Sequence, residues 1–263
     1  MQREIVEVQG LRTGFLRAGA GPALVMLHGI GGNAGQFRRQ LDALADLRTV
    51  TAWDAPGYVA SDDAPDGWTM EDFADHLAGF LDALGIERAD VLGQSWGGVL
   101  AQVFYGRHPG RVRSLILSDT SAGGGSQPEE ERQAALQARL TALETMTPAE
   151  MAHRRAPAVL GPDPSEAMLR EAEEMMAQIR PSGYRTAAIA LANADTTTVL
   201  PAIAVPVLVI TGEHDQIIAP GTGTRLRDFI PRARLAAIAG AGHLSSQEQP
   251  EDWNAAVREF LCG

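Results

Sequence analysis

Ser95, Asp215 and His243 are the residues of this chain whose types could do covalent chemistry together. A serine hydroxyl is a weak nucleophile until a histidine takes its proton. The histidine in turn needs a carboxylate to hold its tautomer and stabilise the imidazolium. Ser95 stands in Gly93-Gln94-Ser95-Trp96-Gly97-Gly98, where glycines two residues before and two after leave room for a sharp turn with strained backbone at the serine. The pattern G-x-S-x-G arises by chance roughly 0.1 times in a chain of this composition, so its surroundings have to decide. They favour an exposed nucleophile. Ala89, Val91 and Leu92 make a short buried strand before it, and Val99, Leu100, Val103 and Phe104 recur at helical spacing behind it.

The remaining elements must bring Asp215 and His243 to the same place. Apolar runs predict strands at Ile5–Val8 and Leu11–Leu16, joined by a tight turn, and at Ala23–Leu27, Val50–Trp53 and Val112–Leu117. Helical stripes fall between them: Phe37, Leu41 and Leu44 in one, and Met70, Phe73, Leu77, Phe80 and Leu81 behind Thr69 in another. After an interruption, Val207–Thr211, a helix near Thr224–Phe229, Leu235–Ile238 and a last helix from Glu251 resume the alternation. Strands alternating with helices imply a parallel sheet, whose strand C-termini share one edge. Ser95, Asp215 and His243 each follow a different strand, so they can converge there although far apart in the chain.

The interruption, 123–200, reads as helices only: Glu129–Met146, Pro148 onward, Pro164–Ile179 and Tyr184–Ala192. Residues 1–122 and 201–263 then form the core domain, and 123–200 an inserted cap entered through a flexible Gly123-Gly124-Gly125. Five of the eight methionines lie in the insertion, and Met146, Met168, Met175 and Met176 are candidates for an adaptable apolar pocket. Ordinary packing onto the core is the competing role for each.

Composition narrows the function classes. The net charge is −11, there is no lysine, and no basic face offers itself to nucleic acid or anionic lipid. Cys262 is the single cysteine, which excludes an internal disulfide framework and a cysteine metal site. No apolar run has membrane-spanning length and the N-terminus lacks a signal core, so a soluble, cytoplasmic protein is expected, monomer or homodimer. His28-Gly29-Ile30-Gly31-Gly32 follows a strand but matches neither glycine-rich nucleotide motif. No His, Asp and Glu cluster has ligand spacing, so neither a metal nor a cofactor is implied.

The chain resembles the α/β-hydrolase superfamily over its whole length. The matching motifs are His28-Gly29 after the third strand, Asp54-x-Pro56-Gly57, the Ser95 elbow, Gly212-x-x-Asp215 and Gly240-x-Gly242-His243. Jointly they are far more specific than the elbow alone. The resemblance implies a mostly parallel twisted sheet of about eight strands flanked by helices, with a helical cap, and the order nucleophile, acid, histidine. It also implies an oxyanion hole at the backbone N–H groups of Ile30 and Trp96. Asp119, which follows another strand, is the alternative acid. His28 reads as a turn and packing residue, and His76, His108, His153 and His214 as solvated or capping.

Two positions depart from the family pattern: Val59 stands where relatives commonly carry glycine, and Trp96, where most carry Met or Leu, is expected to narrow the acyl side of the pocket. A serine rather than an aspartate nucleophile argues against dehalogenase and epoxide hydrolase chemistry. The segment from His243 to Pro250 is similar to that of 3-oxoadipate enol-lactonases, which implies hydrolysis of a small carboxylic ester or lactone. Alternatives within the enzyme class are a carbon–carbon bond hydrolase of the meta-cleavage type and a proline-iminopeptidase-like amidase; outside it, a hydrolase-fold ligand receptor with little turnover.

Overall fold

A computed structural model describes all residues, 1–263. Eight strands form one sheet in the order β1-β2-β4-β3-β5-β6-β7-β8. They are β1 (Glu4–Val8), β2 (Leu11–Ala18), β3 (Ala23–Leu27), β4 (Thr49–Trp53), β5 (Ala89–Gln94), β6 (Val112–Ser118), β7 (Val207–Gly212) and β8 (Arg234–Ile238). The pairings from β4 to β8 are parallel, and β2 runs antiparallel to both β1 and β4. The β1–β2 hairpin closes on Gln9 and Gly10, both at positive φ, the two-residue turn whose twist matches that of the strands. All of β5 is buried because helices cover both faces of the sheet, which is why the central strands read as apolar runs rather than alternations.

One face carries α2 (Met70–Ala83) and α3 (Trp96–Arg107); the other carries α1 (Arg38–Leu44) and the C-terminal helix (Pro250–Cys262). Thr69 and Asp72 form the capping box of α2, and Gly85 at φ +67° ends the segment. The buried stripe of α2 includes His76, one turn beyond Phe73. This corrects the expectation of a solvated residue. His76 is fully buried, 2.9 Å from Thr13 Oγ1, and burial pulls its pKa down to about 4.

Between β6 and β7 the chain inserts α4 (Glu129–Thr145), α5 (Pro148–Val159), α6 (Glu166–Met176) and α7 (Pro181–Asn193). Ala152, Ala156, Val159, Ala172, Met175 and Met176 give it a small core of its own, while Ala187 and Ala190 of α7 join the main one. Gly123-Gly124-Gly125 is packed rather than free. The Gly125 N–H donates to Ala194 O (2.7 Å), and a Cβ on Gly123 or Gly124 would strike the backbone at the end of α7. Glycine is there for close approach.

Two further ties hold the insertion to the core domain, one at a loop and one at α1. Arg180 reaches Asp63 and the Val59 and Ser61 carbonyls. Arg39 meets Glu171 through two 2.7 Å bonds. Val59 adopts φ +36°, a conformation costly for a β-branched residue and open to glycine. No helix is long and apolar enough to cross a membrane.

Candidate active site

Ser95 occupies the turn between β5 and α3 at φ +53° and ψ −116°, outside the wells open to an ordinary L residue, at a cost of about 1–3 kcal/mol. Its neighbours hold it there. The Ser95 N–H donates to Ser118 O (2.9 Å), and Thr120 Oγ1 donates to Ser95 O (2.6 Å). Strand and helix meet so tightly that a Cβ on Gly93 would run into the Gly97 carbonyl, and one on Gly97 into the Leu27 carbonyl. The glycines flanking the serine therefore serve backbone contact.

From Ser95 Oγ a line of hydrogen bonds runs inward. The hydroxyl lies 2.9 Å from His243 Nε2, and His243 Nδ1 lies 2.9 Å from Asp215 Oδ2. The other carboxylate oxygen of Asp215 accepts from the Ile217 N–H (2.7 Å) and the Ile218 N–H (3.0 Å), which fixes the carboxylate plane. His243 is itself held by its backbone. Its N–H donates to Val159 O at the end of α5 (2.9 Å), and its carbonyl accepts from Gln94 Nε2 (2.9 Å).

Asp119 follows β6 at φ +49° and makes no bond to the histidine. It accepts instead from the Gly212 N–H (2.7 Å), Ser118 Oγ (2.8 Å) and Ser245 Oγ. Complete burial raises its carboxyl to about 7, against the pull of His243 and the two serine hydroxyls. Asp119 thus clasps the ends of β6 and β7 to the segment after His243.

Ile30 and Trp96 line the same cavity as Ser95 and His243. The Ile30 loop is fixed from two sides. Asp54, fully buried, accepts from the Ala34 N–H (2.8 Å) and from Arg3 Nε (2.8 Å). His28 bonds Gly29 O through Nδ1 (2.8 Å), and its Nε2 accepts from the Ala55 N–H (3.0 Å), the packing role expected of it. Trp96 is the first residue of α3, where the N–H has no preceding turn to pair with and the helix dipole favours negative charge. Its side chain departs from expectation. The indole is fully buried, edge-on to Phe73 with centroids 5.1 Å apart, and Nε1 donates to Ala187 O of α7 (3.2 Å). It ties the elbow to the insertion.

The cavity over Ser95 measures about 320 Å³. Met175 and Met176 line it; Met146 and Met168 do not, which corrects their assignment to the pocket. Met168 lies in the first turn of α6 and packs on the insertion's own core, and Met146 is the residue that ends α4. A second chamber of about 360 Å³ lies among α4, α5 and α7, and Ile30, Met176, Arg139 and Arg155 line both. Sequence reasoning left Gln94 and Glu248 unassigned, although both are buried or half-buried polar groups flanking the motifs. Glu248 accepts from the Gly161 N–H (2.6 Å) on the insertion and the Gly242 N–H (3.0 Å) beside His243. No group of three or more His, Cys, Asp or Glu side chains is placed to hold a metal ion.

Residues 22–250 match the model of a family described as the alpha/beta hydrolase fold. The chain is 33% identical to a 2-hydroxymuconate semialdehyde hydrolase of Pseudomonas sp. (strain CF600), over 99% of this chain and 93% of the relative. It is 29% identical to 3-oxoadipate enol-lactonase 2 of Acinetobacter baylyi, over 91% of this chain and 88% of the relative. Among solved structures it is similar to the enol-lactonase from Burkholderia xenovorans LB400, with a TM-score of 0.91 and 26% identity, covering 99% of this chain and all of that one.

Proposed function

We propose that this chain, which belongs to the α/β-hydrolase fold family, hydrolyses small carboxylic esters or lactones through an acyl-enzyme on Ser95. The observation that carries this reading is the unbroken hydrogen-bonded line from Ser95 Oγ through His243 to Asp215, at the floor of a cavity that can hold a small substrate. Ser95 Oγ attacks the carbonyl carbon while its proton passes to His243 Nε2, and Asp215 stabilises the imidazolium that results. The carbonyl oxygen, now an oxyanion, receives the N–H groups of Ile30 and Trp96, each such donor being worth about a hundred- to a thousandfold in rate. His243 then gives the proton to the leaving oxygen. Water repeats the sequence on the acyl-enzyme and restores the serine.

The relative named 2-hydroxymuconate semialdehyde hydrolase favours a second reading. That compound contains no ester or amide, so its hydrolysis breaks a carbon–carbon bond. The same serine and histidine would serve, after ketonisation of a dienol.

Labelling with an organophosphonate followed by mass spectrometry tests the nucleophile: an adduct on Ser95 and an inactive Ser95→Ala protein are expected, and an adduct elsewhere or an active variant overturns the reading. A side-by-side kcat/KM for short aryl esters, an enol-lactone, long-chain esters and a meta-cleavage dienol separates the substrates. More than about tenfold preference for the dienol, about 1.4 kcal/mol of transition-state binding, decides for the second reading.

A further inference from the structure

Arg139 of α4 and Arg155 of α5 line both the chamber over Ser95 and the chamber inside the insertion, so they stand where the two join. Three arginines of the insertion are paired, Arg132 with Glu129, Arg170 with Glu166 and Arg185 with Glu144, whereas Arg154, beside Arg155 in the second chamber, is not. Arg139 and Arg155 have no such partner. Glu131 is the one carboxylate among the residues lining the chamber over Ser95.

Arg155 is exposed, and crowding by the surrounding insertion nevertheless pulls the pKa of its guanidinium down; Arg139 and Arg154 act in the same direction, and Tyr184 and Asp215 oppose. Beyond the arginines the second chamber is walled by small apolar side chains, Ala135, Ala138, Ala142, Ala152 and Ala158, with Met151. Alanine where leucine would fill the space leaves an apolar void.

We propose that this site selects an anionic ester or lactone, its carboxylate held by Arg139 and Arg155 at the junction and an apolar arm lying in the second chamber. The inference rests on the hydrolase reading and names its substrate class. A planar guanidinium donates two parallel hydrogen bonds to a carboxylate, a geometry that a point charge cannot match. The chain's charge of −11 does not cancel this. Surface carboxylates more than about 8 Å away are screened at physiological salt, whereas a carboxylate in direct contact with two guanidinium groups is screened less.

The test compares three probes: 4-methyl 2-benzylsuccinate, whose benzyl arm sits on the carbon next to its free carboxylate; its neutral dimethyl ester; and monomethyl succinate, which lacks the arm. The wild type is expected to prefer the first over the second by at least about tenfold in kcat/KM, and over the third by about fivefold or more. Arg139→Gln and Arg155→Gln should each lower the acid-to-neutral ratio severalfold, and Arg155→Lys should retain part of it, which separates recognition from misfolding. A ratio at or below one in the wild type, or a ratio intact in both glutamine variants, overturns the inference while leaving ester hydrolysis standing. Should no ester be turned over, the hydrolase reading fails instead. Calorimetry of 2-benzylsuccinate binding then decides: weakening in high salt and in Arg155→Gln supports the anion site, and indifference to both overturns it.

Discussion

His243 Nδ1 lies 2.9 Å from Asp215 Oδ2, although a second carboxylate, Asp119, is buried nearby and also follows a strand of the sheet. The difference lies in what surrounds each carboxylate. Both oxygens of Asp119 are held by donors from Gly212, Ser118 and Ser245, which turn the carboxylate toward the ends of β6 and β7 rather than toward the imidazole. Asp215 keeps Oδ2 for His243 because its two backbone donors share Oδ1.

Asp215→Asn is therefore expected to lower kcat by several orders of magnitude, on the scale of about ten-thousandfold, because the amide favours the wrong histidine tautomer. Asp119→Asn should act on stability instead, costing about 1–3 kcal/mol by turning an amide N–H toward existing donors. Steady-state kinetics and denaturant unfolding of both variants check this. The reverse pattern would assign the acid to Asp119.

His76 makes a pH prediction. Its folded pKa, about 4, lies below the unfolded value of about 6.5, so the unfolded chain binds more protons between the two. Its contribution to stability is whole above about pH 6.5 and is lost as pH falls toward 4, by on the order of 3 kcal/mol. His76→Gln removes the titration. The stability of the wild type relative to this variant should fall across that window, measured by urea unfolding at several pH values; a constant difference would place the proton elsewhere. Taking the difference also cancels Asp119, whose raised pKa works in the opposite direction.

Gly97→Ala should destabilise by about 1–3 kcal/mol and abolish turnover, because the new methyl meets the Leu27 and His28 carbonyls, which belong to the sheet edge and cannot yield. Gly110→Ala is the control: its methyl meets nothing within 4 Å, and a change within about 0.5 kcal/mol is expected. Thermal unfolding compares them, and equal effects would contradict the packing account.

Glu248 bridges the insertion at Gly161 to the histidine loop at Gly242. Glu248→Ala leaves two backbone N–H groups without their acceptor and should cost about 1–3 kcal/mol, with a fall in kcat as His243 loosens. Glu248→Gln, which keeps one acceptor, should lose less of both. Unfolding and kcat that are unchanged in the alanine variant would show the bridge to be idle.

Much of the fold was legible because local chemistry and tertiary need coincide. The strands buried on both faces are apolar runs, and the α2 stripe and its cap follow from helical spacing and Thr69. The convergence of Ser95, Asp215 and His243 follows from parallel strands sharing one edge. His76 was misread because a histidine looks polar in isolation, though its position on the Phe73–Phe80 face signals burial.

Other features depended on three-dimensional neighbours. A sequence can place a carboxylate after a strand, but that Asp119 is engaged elsewhere depends on Gly212 and Ser245, 93 and 126 residues away, together with the adjacent Ser118. Trp96 adjoins the nucleophile in sequence, yet its indole turns to the Ala187 carbonyl, 91 residues away. The methionines divide in the same way: helical spacing shows that a stripe exists, and only the packing of α5 against α6 decides that Met175 and Met176 face the cavity while Met168 faces its own layer. Spacing fixes which residues share a face of one element, because that is local geometry; what the face meets is decided by the other elements, because packing is not local.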